Sequence, residues 1–353
     1  MKITKQILKL LVIALIIVSC NNDDSIELIN RDYSNGILIS GEGSGAGTGS
    51  VTYLSSDQTL KYQFIYLSAN GTQLGTYLQS MAFNENSAFI IVDNANTVTV
   101  VDKKTFIKTG EIKTDLNTPR FMTVVGDKGY ITNWGDPYNT EDDFIAVADL
   151  NTNAVEKIIS VSNGPEQIVV KGNKLYVSHK GAYGTNNVVS VIDTATDDVV
   201  EITVKENPDE LLFNNNGDLL VLSEGSIVYD PWPTIKSETK AAIHIINTTT
   251  NTITKTIEFK EGEHPSLMTY DNGQIYYYLS GGVYKVNSGE ETLPTTALIS
   301  QSLYGMAVKN GNLYGVEPSF TAQSDLYVFD LSTKEKVFTT KVALGASKIY
   351  FTE

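Results

Sequence analysis

The chain alternates short apolar runs with polar tips. "AFNENSAFIIV" at 82–92, "VVGDKGYIT" at 124–132 and "VVKGNKLYVS" at 169–178 set the pattern, which returns as "LFNNNGDLLVLS" at 212–223, "TYDNGQIYYYLS" at 269–280 and "AVKNGNLYGVE" at 307–317. Each places Asn, Gly or Asp between two alternating apolar segments. These residues tolerate the positive φ of a tight turn, so the six stretches predict six β-hairpins. A second turn, apolar–Asp–x–x–Thr, recurs at Asp102–Thr105, Asp149–Thr152, Asp193–Thr196 and Asp330–Thr333, with Asn247–Thr250 as its amide version. An Asx side chain bonds the backbone of its own turn, so these acids read as structural. Prolines 119, 165, 208 and 265 punctuate the series at spacings of 46, 43 and 57 residues.

The order within a unit is Pro, hairpin, loop, Asp-turn, Pro. Two hairpins per repeat give four antiparallel strands, which is one β-propeller blade. The expected fold class is therefore all-β, a seven-bladed propeller spanning residues 36–353. Six blades run roughly 77–120, 121–166, 167–210, 211–266, 267–305 and 306–353, and residues 36–75 supply the seventh. The segment "GILIS" at 36–40 has a second placement, as an outer strand closing the last blade. Helical periodicity is absent outside the N-terminal apolar run.

With strands named A to D outward from the axis, the two uniform turns are A–B and C–D and share one face. Length variation falls on the other face, mainly in the B–C loops: 41–50 ("GEGSGAGTGS"), 132–143, 178–187, 223–241 and 316–325. Loops held by a rigid scaffold are where binding residues concentrate. Both tryptophans, Trp134 and Trp232, lie in these loops, with Tyr138, Tyr183, Tyr229, Phe320 and His179. Trp134 is expected to stand exposed beside Trp232, although long loops can also fold over their own aromatics. The residues following the repeat prolines, Arg120, Glu166, Asp209 and Ser266, should point to the axial mouth. Gln79, Tyr304 and Ser347 occupy the equivalent points of other blades. Such a ring can hydrogen-bond a ligand or simply fill a solvated channel.

The first residues change the picture of where the protein works. Lys2, Lys5 and Lys9 precede "LLVIALIIVSC", an apolar run too short for a confident bilayer span of about 20 residues. Its ending resembles a bacterial lipobox, which implies cleavage before Cys20 and lipidation of that cysteine. Residues 1–19 would then be the signal peptide and 20–35 the lipidated cysteine and a flexible tether. "NNDD" after Cys20 resembles a surface-export signal of Bacteroidota lipoproteins, which implies an outer-membrane anchor exposed at the cell surface. Removal of the three lysines takes the formal charge from −15 to −18. Phosphate backbones are repelled by such a surface, so nucleic acid is excluded as an expected partner.

Catalytic signatures do not emerge. Cys20 is the sole cysteine, and none of the three histidines, His179, His244 and His264, lies in a nucleophile motif or at zinc-ligand spacing. Asp136, Glu141, Asp142 and Asp143 lack EF-hand spacing and read as an acidic solvated loop. The Gly-rich 41–50 segment lacks the lysine and helix of a phosphate-binding loop. No enzyme, cofactor or metal site is expected.

The Pro-linked blades, the "VIDTATDDVVEITV" strand–turn–strand and the terminal "GASKIYF" resemble the YncE-like seven-bladed propellers. The 80–112 stretch, "SMAFNENSAFIIVDNANTVTVVDKKTFIKTGEI", is similar to surface propeller lipoproteins of the Bacteroidota, the DUF5074 type. That resemblance includes the corrinoid-capturing BtuG lipoproteins. It implies capture of a corrinoid such as cobalamin and its transfer to a TonB-dependent outer-membrane transporter. A broad ring edged with amides suits a wide aromatic and polar face. The alternative is a protein-interaction or adhesion propeller using the same face. A lactonase-like enzyme is a third possibility.

Overall fold

In a computed structural model, residues 31–352 are described and form an all-β, seven-bladed propeller of four-stranded antiparallel blades. The leader and the lipidation expected at Cys20 lie outside the described residues. Blade 3 shows the pattern. Its innermost strand is Pro119–Val125, followed outward by Lys128–Asn133, Phe144–Asp149 and Ala154–Ser160. The six expected hairpins are the six A–B pairs of blades 2 to 7. In the "YDNGQ" and "VKNGN" tips, Asn272, Gly273, Asn310 and Gly311 all have positive φ, as a two-residue hairpin turn requires. The Asp-turns also form as expected. Asp102 Oδ1 accepts from the backbone N–H of Lys104 (3.1 Å) and Thr105 (2.8 Å), and Asp330 Oδ1 accepts from those of Ser332 and Thr333.

Propeller geometry explains why the middle strands are nearly continuous apolar runs. Successive side chains of a strand point to opposite faces. Each blade packs on a neighbour with both faces, so both sets must be apolar. In "SAFIIV", Ala88, Ile90 and Val92 pack toward blade 1, while Phe89 and Ile91 pack toward blade 3. Seven such apolar clusters occur among the described residues, one between each adjacent pair of blades.

Ring closure departs from the sequence expectation. The last blade ends at Leu344, and the C-terminal strand Ala346–Thr352 becomes the innermost strand of blade 1. It pairs with Gly36–Gly41, matching Ile37 with Phe351 and Ile39 with Ile349. "GILIS" is thus the second strand of the first blade, not an outer strand of the last, and 306–353 is not one blade. Both strands carry the same alternation, so pattern alone could not assign them to a sheet. Packing also starts earlier than residue 36: Tyr33 is buried against Tyr53, Tyr62 and Phe106. One short helix, Ile65–Asn70, lies between blades 1 and 2, buries Ile65 and Tyr66 and ends at Gly71 in the left-handed region. It is too short to leave a helical period. The 223–241 segment contains a hairpin, Ile227–Tyr229 with Ile235–Glu238, rather than an irregular loop.

Candidate functional site: an axial chamber with an aromatic rim

The seven residues expected at the axial mouth line a single cavity of about 230 Å³ on the B–C loop face. They are Gln79, Arg120, Glu166, Asp209, Ser266, Tyr304 and Ser347. The backbone shows why. In six of the seven blades the pairing of the innermost strand shifts register near its first residues: at Leu78/Ser80, Pro119/Met122, Pro165/Ile168, Pro208/Leu211, Ser266/Met268 and opposite Ser40/Gly41. A bulge re-aims side chains and ends regular pairing. Gln79, Arg120, Glu166, Asp209 and Ser347 lie within these irregular steps.

Charge dominates the chamber. Arg120 donates to Glu166 through Nε (3.0 Å) and Nη2 (2.9 Å), and to Asp93 Oδ2 through Nη1 (2.7 Å). Burial works against the guanidinium charge, but these two carboxylates overcome it and raise its pKa. Lys180 is similarly held by Asp209 (2.6 Å) and Glu224 (3.0 Å), which keep it charged despite burial. Burial would also raise Asp209, yet Lys180 wins and its pKa is lowered. For Glu224 burial wins, pushing the carboxyl up to about 7. Burial likewise raises Asp93, Glu42 and Glu210. Glu210 accepts from Gln167 Nε2 at 2.7 Å, and Glu42 accepts from the Tyr304 hydroxyl at 3.5 Å.

Two aromatic ladders connect this chamber to solvent. Arg120 Cζ lies 3.8 Å from the Trp134 ring centroid, over its face. Trp134 meets Tyr183 edge-on at 6.1 Å, and Tyr183 meets Tyr138 at 5.1 Å. On blade 7, Tyr304 meets Phe320 edge-on at 5.7 Å. Aromatic pairs at these separations add rigidity beyond their buried area. Tyr138 is 84% exposed and Tyr183 67%, so the first ladder ends in water. Trp232, 78% exposed, and Tyr229 sit at the tip of the separate 227–238 hairpin.

Two expectations are corrected. Trp134 is not exposed beside Trp232. It is 9% exposed, covering Arg120, with its indole N–H unpartnered. The long loop folds back, so the residue joins the chamber wall to the rim. His179 is not a loop residue but the fully buried last residue of the strand Lys174–His179. Its ring nitrogens lie 2.7 Å from the Ser162 carbonyl and 2.8 Å from Ser190 Oγ, and burial depresses its pKa to about 4.

Sequence reasoning missed Glu42, Lys180, Glu210, Glu224 and Lys348, which also line the chamber. Lys180 and Glu224 begin B–C loops, and Glu210 follows a ring position by one residue. A search for charges flanking strand ends on the loop face would have found them. In the acidic 136–143 loop, Asp143 is buried, accepts from the Gly164 N–H at 2.8 Å and is raised to about 6 by burial. Among the described residues no group of three or more His, Cys, Asp or Glu could hold a metal ion. A mainly apolar cavity of about 410 Å³ lies apart from the chamber, between the Gly-rich loop and the helix, beside Phe64, Leu67 and Leu344.

Comparison with known proteins supports the fold. The family described as "Domain of unknown function (DUF5074)" matches residues 35–231, more than half of the chain. No curated protein matches. A putative 6-phosphogluconolactonase from Bacteroides fragilis is similar in structure, with a TM-score of 0.64 and 12% identity. That similarity covers 91% of this chain and 98% of the other. Hydrazine synthase from Kuenenia stuttgartiensis aligns with a TM-score of 0.54 and 18% identity over 79% of this chain and 91% of its own. A dihydro-heme d1 dehydrogenase, NirN, in complex with DHE aligns with a TM-score of 0.55 and 12% identity, covering 91% and 76%. At these identities the likeness concerns the scaffold alone.

Proposed function

The chain belongs to the DUF5074 family, and from that footing we propose that it is a non-enzymatic ligand-capture protein of the outer cell surface. Its loop face binds a broad, polar-edged small ligand, most specifically a corrinoid such as cobalamin, and passes it to a TonB-dependent outer-membrane transporter. The observation that carries the reading is the convergence of the bulged ring residues on one chamber, with aromatic ladders rising from it to solvent. Tyr138, Tyr183 and Phe320 offer flat apolar contact, and the chamber mouth offers acceptors for the amide N–H groups of a corrin edge. Resemblance to corrinoid-capturing propeller lipoproteins supplies the ligand class. Binding rather than catalysis is favoured because Arg120 and Lys180, the strongest candidates for chemistry, are each locked by two carboxylates.

Titration of the purified protein with cyanocobalamin and dicyanocobinamide tests this. The reading expects saturable heat and a shift in the corrin absorbance at micromolar concentrations. Tyr138→Ala with Tyr183→Ala should weaken both signals at least tenfold. Absence of any signal from either corrinoid sinks the corrinoid assignment. The exposed 227–238 hairpin favours one second reading, a protein-interaction face centred on Trp232. Retention of a membrane partner by the ligand-free protein, lost on Trp232→Ala, would favour that reading.

A further inference from the structure

The Gly-rich segment 41–50 forms one wall of the separate cavity of about 410 Å³. The other walls come from the helix Ile65–Asn70 with its flanks and from the blade 7 loop at 321–323. Val51, Phe64, Tyr66, Leu67, Leu74 and Leu344 give the lining its apolar character. No Asp, Glu, Lys, Arg or His lines it, in contrast to the axial chamber, where charge dominates. A cavity of about 150 Å³ lined by Leu, Ile and Phe admits one benzene, so this one has room for a molecule roughly two to three times larger.

A second observation concerns how this space is kept. Glycines alternate through 41–49, and three of them have a steric reason to be glycine. A Cβ would lie 2.4 Å from the Leu344 carbonyl oxygen at Gly41, 2.5 Å from the Gly49 nitrogen at Gly43 and 2.7 Å from Leu78 Cβ at Gly49. Gly45 is exposed at the tip of the Ser44–Gly47 turn, where a Cβ meets nothing within 4 Å. Gly47 differs from all of these. It closes the turn by exchanging hydrogen bonds with Ser44 (2.7 and 3.0 Å) and stays outside the left-handed region. A Cβ on it would meet only Leu344 Cδ2, at 3.3 Å. Leu344 is itself part of the cavity wall, so a longer side chain at 47 would extend along that wall into the cavity. Glycine loses more chain entropy on folding than any other residue, so its use without a conformational need is explained by the room it leaves. The Ser44 hydroxyl also donates to the Phe320 carbonyl at 2.5 Å, which ties the Gly-rich wall to the blade 7 wall.

We propose that this cavity binds one neutral molecule with a medium-length alkyl chain. The walls supply apolar contact along the chain, and Thr48, Gln73 and Thr321 offer neutral polar groups to a hydroxyl or ester. A carboxylate or ammonium would enter without a counter-charge, which is costly. The inference goes beyond corrinoid capture and uses neither the axial chamber nor the aromatic ladders.

Calorimetry of the intact protein with 1-decanol, and with decanoate at pH 8 as its charged counterpart, tests it. Expected is saturable one-to-one binding of decanol with a negative heat-capacity change, as apolar surface leaves water. Decanoate should bind at least tenfold more weakly. Gly47→Leu should fill the cavity, weaken decanol binding at least tenfold and leave the melting temperature at or above that of the unmodified protein. Leu67→Gln, on the partly exposed helix, should also weaken decanol binding and supplies the same readout should Gly47→Leu fail to fold. Absence of saturable decanol binding overturns the proposal, as does an affinity unchanged in the folded variants. Equal affinities for decanol and decanoate overturn the neutral-ligand assignment. Cyanocobalamin titration of Gly47→Leu keeps the two ideas apart: decanol binding should be lost with the corrinoid response unaltered, and loss of both would contradict a separate site.

Discussion

Trp134→Ala perturbs the point where chamber and rim meet. The side chain is 9% exposed, lies over Arg120 at 3.8 Å and is packed edge-on by Tyr183. Truncating a buried Trp to Ala ordinarily costs about 3–5 kcal/mol in lost transfer energy and cavity. The contact with the Arg120 guanidinium adds about 1–2 kcal/mol in a desolvated setting. Against this stands the buried, unpartnered indole N–H, whose removal returns about 1–3 kcal/mol. The net expectation is destabilisation by about 3 kcal/mol. Trp134→Phe separates the contributions, because it keeps a ring over Arg120 and removes the orphaned donor. Its cost should stay below about 1 kcal/mol, near the level of a volume-tolerant core swap. Urea unfolding followed by circular dichroism measures both, whereas fluorescence would be confounded by loss of one of only two tryptophans. A Trp134→Ala protein within about 0.5 kcal/mol of wild type, the range of surface substitutions, would refute the reasoning. So would a Trp134→Phe protein as damaged as the Ala variant.

Removal of the Arg120 charge by Arg120→Met should destabilise by about 3–5 kcal/mol, because the buried Glu166 and the half-buried Asp93 lose their counter-charge. The deficit in urea midpoint should be larger at pH 8 than at pH 5, because burial already raises the Asp93 carboxyl and loss of the Arg120 charge raises it further, and a pH-independent deficit would contradict this. The His179 pKa is depressed to about 4 from an ordinary value near 6.5, so the unfolded chain binds the extra proton. Its contribution to stability is present above about pH 6.5 and is lost as pH falls toward 4. NMR titration should find the His179 imidazole neutral at pH 5, and a midpoint near 6.5 would disprove the buried pairing. Gly305→Ala would place a Cβ 1.9 Å from the Ser347 carbonyl oxygen in the innermost strand of blade 1. Thermal melts should show clear destabilisation, while Gly289→Ala, where a Cβ meets nothing within 4 Å, should not.

Much of this architecture is written locally, and local features were legible. Hairpin tips with Asn–Gly, the Asp-turns and the Pro spacing each depend on a few adjacent residues, so they fixed strand order, blade count and the loop face. The ring positions followed because the prolines mark where each innermost strand begins. What stayed hidden depends on long-range packing. Ring closure joins residues 36–41 to 346–352, and alternation is the same whichever sheet a strand enters. Trp134 was placed on the correct loop but the wrong side of its own surface, because only its partners Arg120 and Tyr183, from other segments, decide that it turns inward. His179 was misread for a similar reason: Ser162 and Ser190, which satisfy its ring, are distant in sequence. The missed carboxylates Glu42, Glu210 and Glu224 carry no motif, and their significance arises only from convergence on the axis.

What most needs testing is that the loop face, and not the rest of the propeller surface, receives the corrinoid. Hydrogen exchange of the intact protein with and without saturating cyanocobalamin tests it most directly. Protection should be confined to segments 134–143, 180–187 and 318–322, around Tyr138, Tyr183 and Phe320, with the opposite-face turns at 126–127 and 272–273 unchanged. Protection absent from all three loop segments, or concentrated on the opposite-face turns, would contradict it.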